Sequence, residues 1–372
     1  MPITEETILK AMQLKYLARA ALAGLPALAC ADSGNLTIYG RIHAGIDSMS
    51  VSSTATAPDG LSVRRVSDYS SKLGFRGRED LGNGWSALFQ IEGGLSLDTG
   101  TGTLNDKDTY VGLVSKDYGQ IQLGRFATPI RKINDYTNRF LGEGPQDDAN
   151  IGQLSSDGLV GFNRRQANAI SYRTPRMAGL VATIYRGATL EAPGGDSIFS
   201  SSLQYEHGGP LTGAVGYEVH NNLRPGMRDR MYRVMMNYAF RAGDIGVGFN
   251  RLIYQVASGT LRRDYFTVTG AWRINNDALI GRIGIAGDVG GTAPDGATLV
   301  TKGTSLTHGA DSGATHVTLG YQHNLSKRTQ LYTYFTRMGN ERLANYSLGT
   351  AAAPPASGAT MRAVVLGVVH VF

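Results

Sequence analysis

Cysteine and long hydrophobic runs are the clearest shortages in this sequence of 372 residues. The single cysteine, Cys30, lies in a segment that we expect to be removed, so we predict no disulfide and no thiol chemistry in the mature chain. Beyond about the first thirty residues no run of ~18 apolar residues occurs, which excludes a helical membrane protein. If this chain spans a membrane, it must do so with strands.

Clusters of basic residues are also missing. Lysine and arginine total 36 against 30 acidic residues, a formal net charge of +6, yet the basic residues are scattered singly along the chain. Binding to nucleic acid normally uses a basic run or a basic helix, so we predict no nucleic-acid partner. Basic residues dispersed on alternating positions indicate instead a lined interior.

Catalytic and metal-binding motifs are absent as well. The seven histidines are dispersed, and there is no H-E-x-x-H, cysteine-based metal spacing, G-x-S-x-G or phosphate-binding loop. We therefore predict that the protein is not an enzyme and takes no cofactor or metal. The remaining catalytic alternative is an Asp/His or Ser/His pair near the rim of a barrel, with four candidate histidines: His43, His207, His308 and His316.

The N-terminal residues have the features of an export signal. Lys15 and Arg19 supply positive charge, residues 20–29 are mostly apolar, and an A-x-A cleavage motif ends at Ala31. We predict that residues 1–31 are a signal peptide read by the Sec pathway.

The start of this signal and the fate of its cysteine have alternatives. Residues 1–11 precede the signal pattern and are best explained as an upstream-start artefact. A lipidated Cys30 is one rival to cleavage, and a buried Ala-rich helix interrupted by Pro26 is another. We assign residues 32–372 to one transmembrane β-barrel domain.

Apolar and polar residues alternate with a period of two from residue 35 to the end of the chain. In residues 36–47, for example, leucine and isoleucine occupy one face while threonine, tyrosine, arginine, histidine and aspartate occupy the other. Many runs span about ten residues, the length that crosses a bilayer at a tilt, whereas ordinary strands have ~5 or 6. A soluble β-rich adhesin or binding module is the alternative, and it would have polar residues on both faces and no aromatic girdle.

We predict an all-β fold, a 16-stranded antiparallel transmembrane β-barrel, because about sixteen such runs occur and an even number brings both chain ends to the periplasmic side. The predicted strands cover residues 35–50, 62–79, 84–97, 107–116, 119–126, 165–174, 179–189, 197–207, 211–221, 229–241, 245–257, 262–274, 279–290, 314–325, 329–340 and 359–372.

The longest connection, residues 127–164, follows the fifth predicted strand. It exceeds ordinary loop lengths and is therefore expected to be functional. Inside a large barrel an acidic loop of this length would constrict the pore, and a disordered surface loop is the alternative. Its acidic residues are Asp135, Glu143, Asp147 and Asp148.

Five motifs occur along the chain: SKLGFRGREDLGNG at 71–84, YVGL at 110–113, LGR at 123–125, NLSKRT at 324–329 and HVF at 370–372. In the same order they resemble motifs of the neisserial and β-proteobacterial (Burkholderiales-type) general porins of Gram-negative bacteria. The resemblance covers essentially all of residues 33–372.

This resemblance implies a homotrimer of sixteen-stranded barrels, each with its third loop folded into the pore opposite basic residues. By motif position, Arg65, Lys107 and Arg165 look like the family's basic constriction residues. Lys107 stands where relatives have arginine, and Arg64 is an alternative to Arg65 because the alignment there is inexact. Lysine keeps the charge but loses the planar fork of arginine.

The terminal Phe372 resembles the residue that the barrel-assembly machinery recognises in the family, although Val371 replaces a basic residue common there. The other implied partners are outer-membrane lipid, lipopolysaccharide and small anionic or neutral solutes.

Six further basic residues fall on the polar face of their predicted strands, which indicates a net-positive lumen. Each could individually be a solvated or ion-paired strand residue, so the collective sign is the stronger prediction. We expect an outer-membrane channel for passive diffusion of small hydrophilic solutes with a preference for anions; the alternative is a substrate-specific channel for organic acids, phosphate-like anions or sugars. The six residues are Arg41, Lys72, Arg76, Arg78, Arg233 and Arg273.

Overall fold

The computed structural model describes most of the chain after the predicted signal peptide. The predictions for residues 1–31 lie outside the described part of the chain. Within the described part, no helix is long and apolar enough to cross a membrane. The described residues are 36–55, 57, 60–154, 159–189, 194–349 and 354–372.

Antiparallel strands form a closed barrel in which each strand pairs with its neighbours along the chain and the last pairs with the first. The barrel has sixteen strands when the two segments of β2 are taken as one strand, which confirms the predicted fold. The strands are β1 (Leu36–Val51), β2 (Leu61–Asp68 and Ser71–Gly82), β3 (Trp85–Ser96), β4 (Thr109–Ser115), β5 (Gly119–Ala127), β6 (Arg165–Arg173), β7 (Leu180–Gly187), β8 (Ser197–Glu206), β9 (Leu211–Asn221), β10 (Arg228–Phe240), β11 (Gly243–Val256), β12 (Gly259–Ile274), β13 (Asp277–Ala286), β14 (Ala314–Asn324), β15 (Thr329–Asn340) and β16 (Thr360–Val371).

The chain ends close the barrel. The register between β1 and β16 runs from Arg41 opposite Val371 to Val51 opposite Met361. Beyond it, the Gly40 amide donates to the Phe372 carbonyl at 3.0 Å and the Phe372 amide donates to the Gly40 carbonyl at 3.1 Å. A side chain at position 40 would clash, because a Cβ there would lie 2.7 Å from the Lys72 backbone carbonyl oxygen and 2.5 Å from the Phe372 ring.

The strands expose their apolar face and bury their polar face, the opposite of strands around a soluble core. On β13, Leu279, Ile283 and Ile285 are each about half exposed, while Arg282 on the other face is buried. The same arrangement recurs on β16, where Leu366 is exposed. An apolar exterior around a polar interior suits hydrocarbon outside and a lumen inside, and it does not fit the soluble β-rich alternative.

Aromatic side chains gather at the short-turn end of the barrel. Trp85 stacks on Tyr118 with ring centroids 5.6 Å apart, and the Tyr172 hydroxyl donates to the Tyr118 carbonyl at 2.9 Å. Phe240 packs against Trp272 at 5.8 Å on the opposite side. Aromatic rings at this level are typical of the membrane interface.

A break in β2 separates its two segments at Tyr69 and Ser70, where the sequence predicted one continuous strand. Ser70 has a positive φ of 73°, unusual for a residue other than glycine. Asp68 supports this turn, since its Oδ1 accepts from the Ser70 amide at 2.8 Å and the Ser71 amide at 2.9 Å. The break directs the Ser70 carbonyl toward Arg41, whose guanidinium donates to it at 2.7 Å.

The third loop, residues 128–164, contains α1 (Pro129–Lys132), a 3₁₀ turn (Ile133–Tyr136) and α2 (Ala149–Gln153). Many of its apolar side chains are buried in a cluster with inward-facing residues of the barrel, such as Ile130 and Ile151 beside Met231 and Leu252, although Leu159 is exposed. The described residues of this loop are therefore packed inside the barrel, which does not fit the disordered-surface-loop alternative.

Candidate functional site

Two buried arginines on the barrel wall hold the third loop by its backbone. Arg282 of β13 donates to the Gln146 carbonyl at 3.0 Å and to Asn138 Oδ1 at 2.9 Å. Arg233 of β10 donates to the Ile130 carbonyl at 2.6 Å. Charge-assisted bonds of this kind are roughly twice as strong as neutral ones. Arg233, which the sequence predicted as a lumen residue, thus binds the backbone of the loop through its guanidinium.

Asp148 is a second anchor of the loop. The Tyr265 hydroxyl donates to its Oδ2 at 2.8 Å, and the Arg282 guanidinium lies 3.4 Å from its Oδ1. Burial alone would raise the pKa of Asp148, but the Arg282 charge and the Tyr265 hydrogen bond lower it below its ordinary value. Asp148 therefore remains ionised and ties α2 to the wall.

A charged cavity of about 500 Å³ lies between the third loop and the barrel wall. We use this name for the space whose basic lining residues are Arg41, Arg131, Lys132 and Arg165 and whose acidic lining residues are Asp108, Asp135, Glu143 and Asp147. Three of the four predicted loop acids and one of the three predicted constriction bases line it. Lys107 lies close enough to shift the pKa of Glu143.

Glu143 is surrounded by positive charge. Arg131 donates to its Oε1 at 3.0 Å. Burial acting alone would raise the pKa of Glu143, yet the combined field of Arg131, Lys107, Arg165 and Arg41 lowers it. Glu143 is thus ionised at neutral pH.

The pKa values of the other two loop acids of the cavity are raised. Burial raises the pKa of Asp135 above its ordinary value. Burial and the neighbouring Asp148 raise the pKa of Asp147 to about 7. At neutral pH Asp147 is therefore only partly ionised.

Some basic residues near the cavity have a salt-bridge partner, and others have none among the described residues. Arg165 is paired with Asp108 at 2.6 Å, and Arg131 with Glu143. Arg41, Lys107 and Lys132, by contrast, form no salt bridge with the described residues. Arg41 donates to the Ser70 carbonyl at 2.7 Å, the Lys107 ammonium donates to Ser70 Oγ at 3.3 Å, and the Lys132 ammonium lies 5.7 Å from the Phe126 ring centroid.

Arg65 lies on the inner face of the barrel but does not line the charged cavity. It forms an ion pair with Asp47. Its Nε donates to Asp47 Oδ1 at 2.9 Å, and Ser67 and Tyr69 donate to the other oxygen. Arg64 is opposite Ser48, on the outward parity, so the inward residue of this pair is Arg65.

Three of the remaining predicted lumen bases lie on β2. The Lys72 ammonium donates to Glu92 Oε2 at 2.8 Å, and the Arg76 guanidinium lies 5.0 Å from the Tyr39 ring centroid. The Arg78 guanidinium donates to Ser86 Oγ at 3.1 Å, closer to the short turns.

Arg273, predicted on the lumen face of β12, pairs with Asp244 at 2.6 Å. Arg139 of the third loop binds the other oxygen of Asp244 and the amide oxygen of Asn237. Arg273 and Arg139 both line a cavity of about 770 Å³ toward the short-turn end.

Sequence reasoning missed several residues that build the site. Arg282 sits on the polar parity of β13, opposite the face of Leu279, and that alternation was a usable signal. Arg131, Lys132 and Arg139 lie in the loop, where no periodicity predicts direction. Only the folded loop brings them to the lumen.

The comparisons with known proteins agree with this architecture. The model of the Gram-negative porin family matches residues 18–343. An outer membrane porin protein of Bordetella pertussis is 28% identical over 371 residues, covering 87% of this chain and 93% of the relative.

Solved structures show the same fold. An anion-selective porin from Comamonas acidovorans superposes with a TM-score of 0.73 at 21% identity, covering 91% of this chain and 99% of the other. A trimer form of OmpT, an outer membrane protein of Vibrio cholerae, superposes with a TM-score of 0.64 at 13% identity, covering 91% and 99%.

Proposed function

Because this chain belongs to the Gram-negative porin family, and is thus an outer-membrane channel for passive diffusion, we propose that it favours small anions among its hydrophilic solutes. The solved Comamonas acidovorans porin with this fold is anion-selective, which supports the proposal. The mechanism involves no bond making or breaking, and we assign no catalytic activity to the lumen.

The observation that carries the proposal is the imbalance of charge around the charged cavity. Arg41, Lys107 and Lys132 have no salt-bridge partner among the described residues, whereas Glu143 is paired and burial raises the pKa of Asp147. A cavity with surplus positive charge and low-dielectric walls concentrates anions and repels cations. The preference should weaken with salt, because exposed charges are screened over ~10 Å at 0.1 M.

We further propose that the third loop sets the size limit. Its anchors on Arg233, Arg282 and Tyr265 hold it against one side of the lumen, and the charged cavity lies beside it. A solute crossing the barrel would therefore meet the basic side chains at the narrowest level. Arg165 and Lys107 would act there directly, and Arg65 would contribute through its long-range field.

The assembly that we propose is a homotrimer in the outer membrane. The trimer form of the similar OmpT structure supports this state. We expect the apolar exterior to contact lipid and lipopolysaccharide, the terminal Phe372 to be read by the barrel-assembly machinery, and residues 1–31 to direct Sec export.

Planar-bilayer recording of the refolded protein tests the function. Across a KCl gradient we expect discrete conductance steps and a reversal potential directed toward chloride. Arg165→Glu should shift the preference toward potassium by about fivefold. The substitution changes the charge near the ion path by two units, which alters the energy of a passing ion by ~1 kcal/mol.

Arg328→Glu, at an exposed short turn, is the matched control and should leave selectivity unchanged. An absence of conductance steps would contradict the channel assignment. A cation-directed reversal potential in the unaltered protein would refute the anion preference.

A further inference from the structure

A second cavity, of about 430 Å³, lies between α1 of the third loop and the inner faces of β4 to β8. This volume falls within the ~300–1,000 Å³ typical of small-molecule sites. Uncharged amides and hydroxyls are more numerous in its lining than in that of the charged cavity, although Lys132, Asp135, Arg173 and Glu206 also line it. We call it the amide pocket, after Gln120, Gln122, Ser171, Thr183, Ser202 and Gln204.

Three polar side chains of the amide pocket have unused hydrogen-bonding capacity. Ser202 is 6% exposed, and its Oγ has no hydrogen-bond partner. A buried hydroxyl without a partner is unfavourable, because it has lost its hydrogen bonds to water. Gln120 and Gln204 likewise make no side-chain hydrogen bond within the described part of the chain. Each amide offers an acceptor and two donors, which matches a solute bearing several hydroxyl groups.

Aromatic rings form the apolar part of the same pocket. Phe126 and Tyr185 meet edge to face, with centroids 5.2 Å apart, and Tyr110 meets Phe126 at 5.8 Å. A polyhydroxylated carbon chain presents C–H surfaces as well as hydroxyls, so rings and amides can engage it together. A simple inorganic anion could accept hydrogen bonds from the amides and hydroxyls, but it has no C–H surface for the rings.

Lys132 connects the two cavities. It lines both the charged cavity and the amide pocket, together with Ala127 and Asp135. Its ammonium group forms no salt bridge with the described residues. An anionic group held at Lys132 would therefore place the rest of its molecule in the amide pocket.

We propose that the amide pocket and Lys132 form a saturable binding site for polyhydroxylated carboxylates of about monosaccharide size. The site would bind the carboxylate through Lys132 and the hydroxyls through Ser202, Gln120 and Gln204. This inference rests on the proposed anion-preferring channel and specifies a substrate class for it.

Three six-carbon probes separate the chemistry of the site in single-channel recordings of the full protein. Gluconate has both the carboxylate and the hydroxyls, sorbitol has only hydroxyls, and hexanoate has only the carboxylate. We expect gluconate to block the chloride current in a saturable manner at a concentration about tenfold below the other two, a difference of about 1.4 kcal/mol, since each of them lacks one of the two kinds of contact.

Substitutions then locate the block. Lys132→Met and Gln204→Met keep similar side-chain length, and each should weaken gluconate block about threefold to tenfold. Gln330→Met, on the lumen face of β15 away from the pocket, and Lys327→Met, at an exposed short turn, are the matched controls and should leave the block unchanged.

The outcomes separate this site from the channel itself. Equal block by gluconate and hexanoate in a channel that still prefers chloride overturns the site and leaves the channel function intact. Gluconate block that all four variants retain also overturns it. A channel with no anion preference would refute the proposed function instead, and the comparison of the unaltered protein with three probes needs no variant to fold.

Discussion

Glu143 and Asp147 lie in one loop, yet their surroundings give them opposite charge behaviour. Four basic side chains lower the pKa of Glu143. Asp147 sits beside Asp148, and burial together with that neighbour raises its pKa to about 7. The difference between them depends on nearby charges and on exposure, because the Glu143 side chain is 53% exposed whereas Asp147 is half-buried. Glu143 is therefore ionised at neutral pH, whereas Asp147 is only partly ionised.

The first prediction concerns Asp147. Because its pKa is near 7, it is mostly neutral at pH 6 and mostly ionised at pH 8, so a negative charge enters the cavity as pH rises. We expect the chloride preference to fall over this range, with a midpoint near pH 7. The groups facing Asp147 include Asp148, Arg282 and Glu143. Reversal potentials in a KCl gradient at pH 6, 7 and 8 measure the change.

Asp147→Asn should keep the low-pH selectivity at every pH, because an amide side chain does not ionise. The loop should keep its structure, because the amide oxygen can still accept from the Ala149 amide. The control is Asp117→Asn, in an exposed pair with Lys116 at a short turn. A pH response of the same size in Asp147→Asn and in the unaltered protein would rule out Asp147 as the titrating group.

At the scale of elements, the third loop depends on side chains from distant strands. Its short helices are α1 with four residues and α2 with five, too short to be stable alone. Arg233 on β10, Tyr265 on β12 and Arg282 on β13 each bond to it. The loop is therefore ordered by the wall and not by its own helical propensity.

The second prediction tests this anchoring through Arg282→Met. The substitution removes the donors to Gln146 and Asn138 and leaves Asp148 without its cation. Breaking a buried ion pair from one side costs about 3–5 kcal/mol, so we expect a mobile loop and a noisier open-channel current. Arg241→Met, at an exposed turn, should leave the current noise unchanged, and equal noise in the two variants would contradict the anchoring role.

At the scale of the whole molecule, closure depends on the residues at the two ends of the barrel. β1 and β16 are separated by nearly the entire sequence, yet their register extends across eleven pairs. Closing so long a loop is entropically costly, and a closed barrel is also the condition for leaving no unpaired strand edge in lipid. The reciprocal bonds between Gly40 and Phe372 extend this seam to the last residue.

The third prediction separates two roles of Phe372. Deleting it removes both backbone bonds to Gly40, so the detergent-refolded barrel should lose about 1–3 kcal/mol of stability, measured by urea unfolding. Phe372→Ala keeps those bonds and should refold nearly normally, while its amount in the outer membrane of cells falls if the ring is the assembly signal.

Phe335→Ala removes an outward-facing phenyl ring from the middle of β15 and serves as the control for loss of a ring. Equal membrane levels of Phe372→Ala and Phe335→Ala would remove the assembly role from the terminal residue.

Alternation along the chain was enough to predict the strands. A transmembrane strand exposes one face to lipid and the other to a lumen, so its residue pattern is local and survives in the sequence. The sixteen strands, the inward parity of Arg41 and Arg282 and the outward parity of Leu279 all follow from that rule. The break at Ser70 did not, because it depends on hydrogen bonds from Asp68 that no alternation signals.

The composition of the site was also partly predictable, and its arrangement was not. The sequence by itself determined a barrel, its number of strands and a long acidic loop after the fifth, because these depend on local period and on chain length. Only the tertiary structure decided that Asp148 anchors the loop while Glu143 faces the lumen, and that Lys132 joins two cavities. Those roles depend on contacts between residues far apart in sequence, where burial and neighbouring charge set what each side chain does.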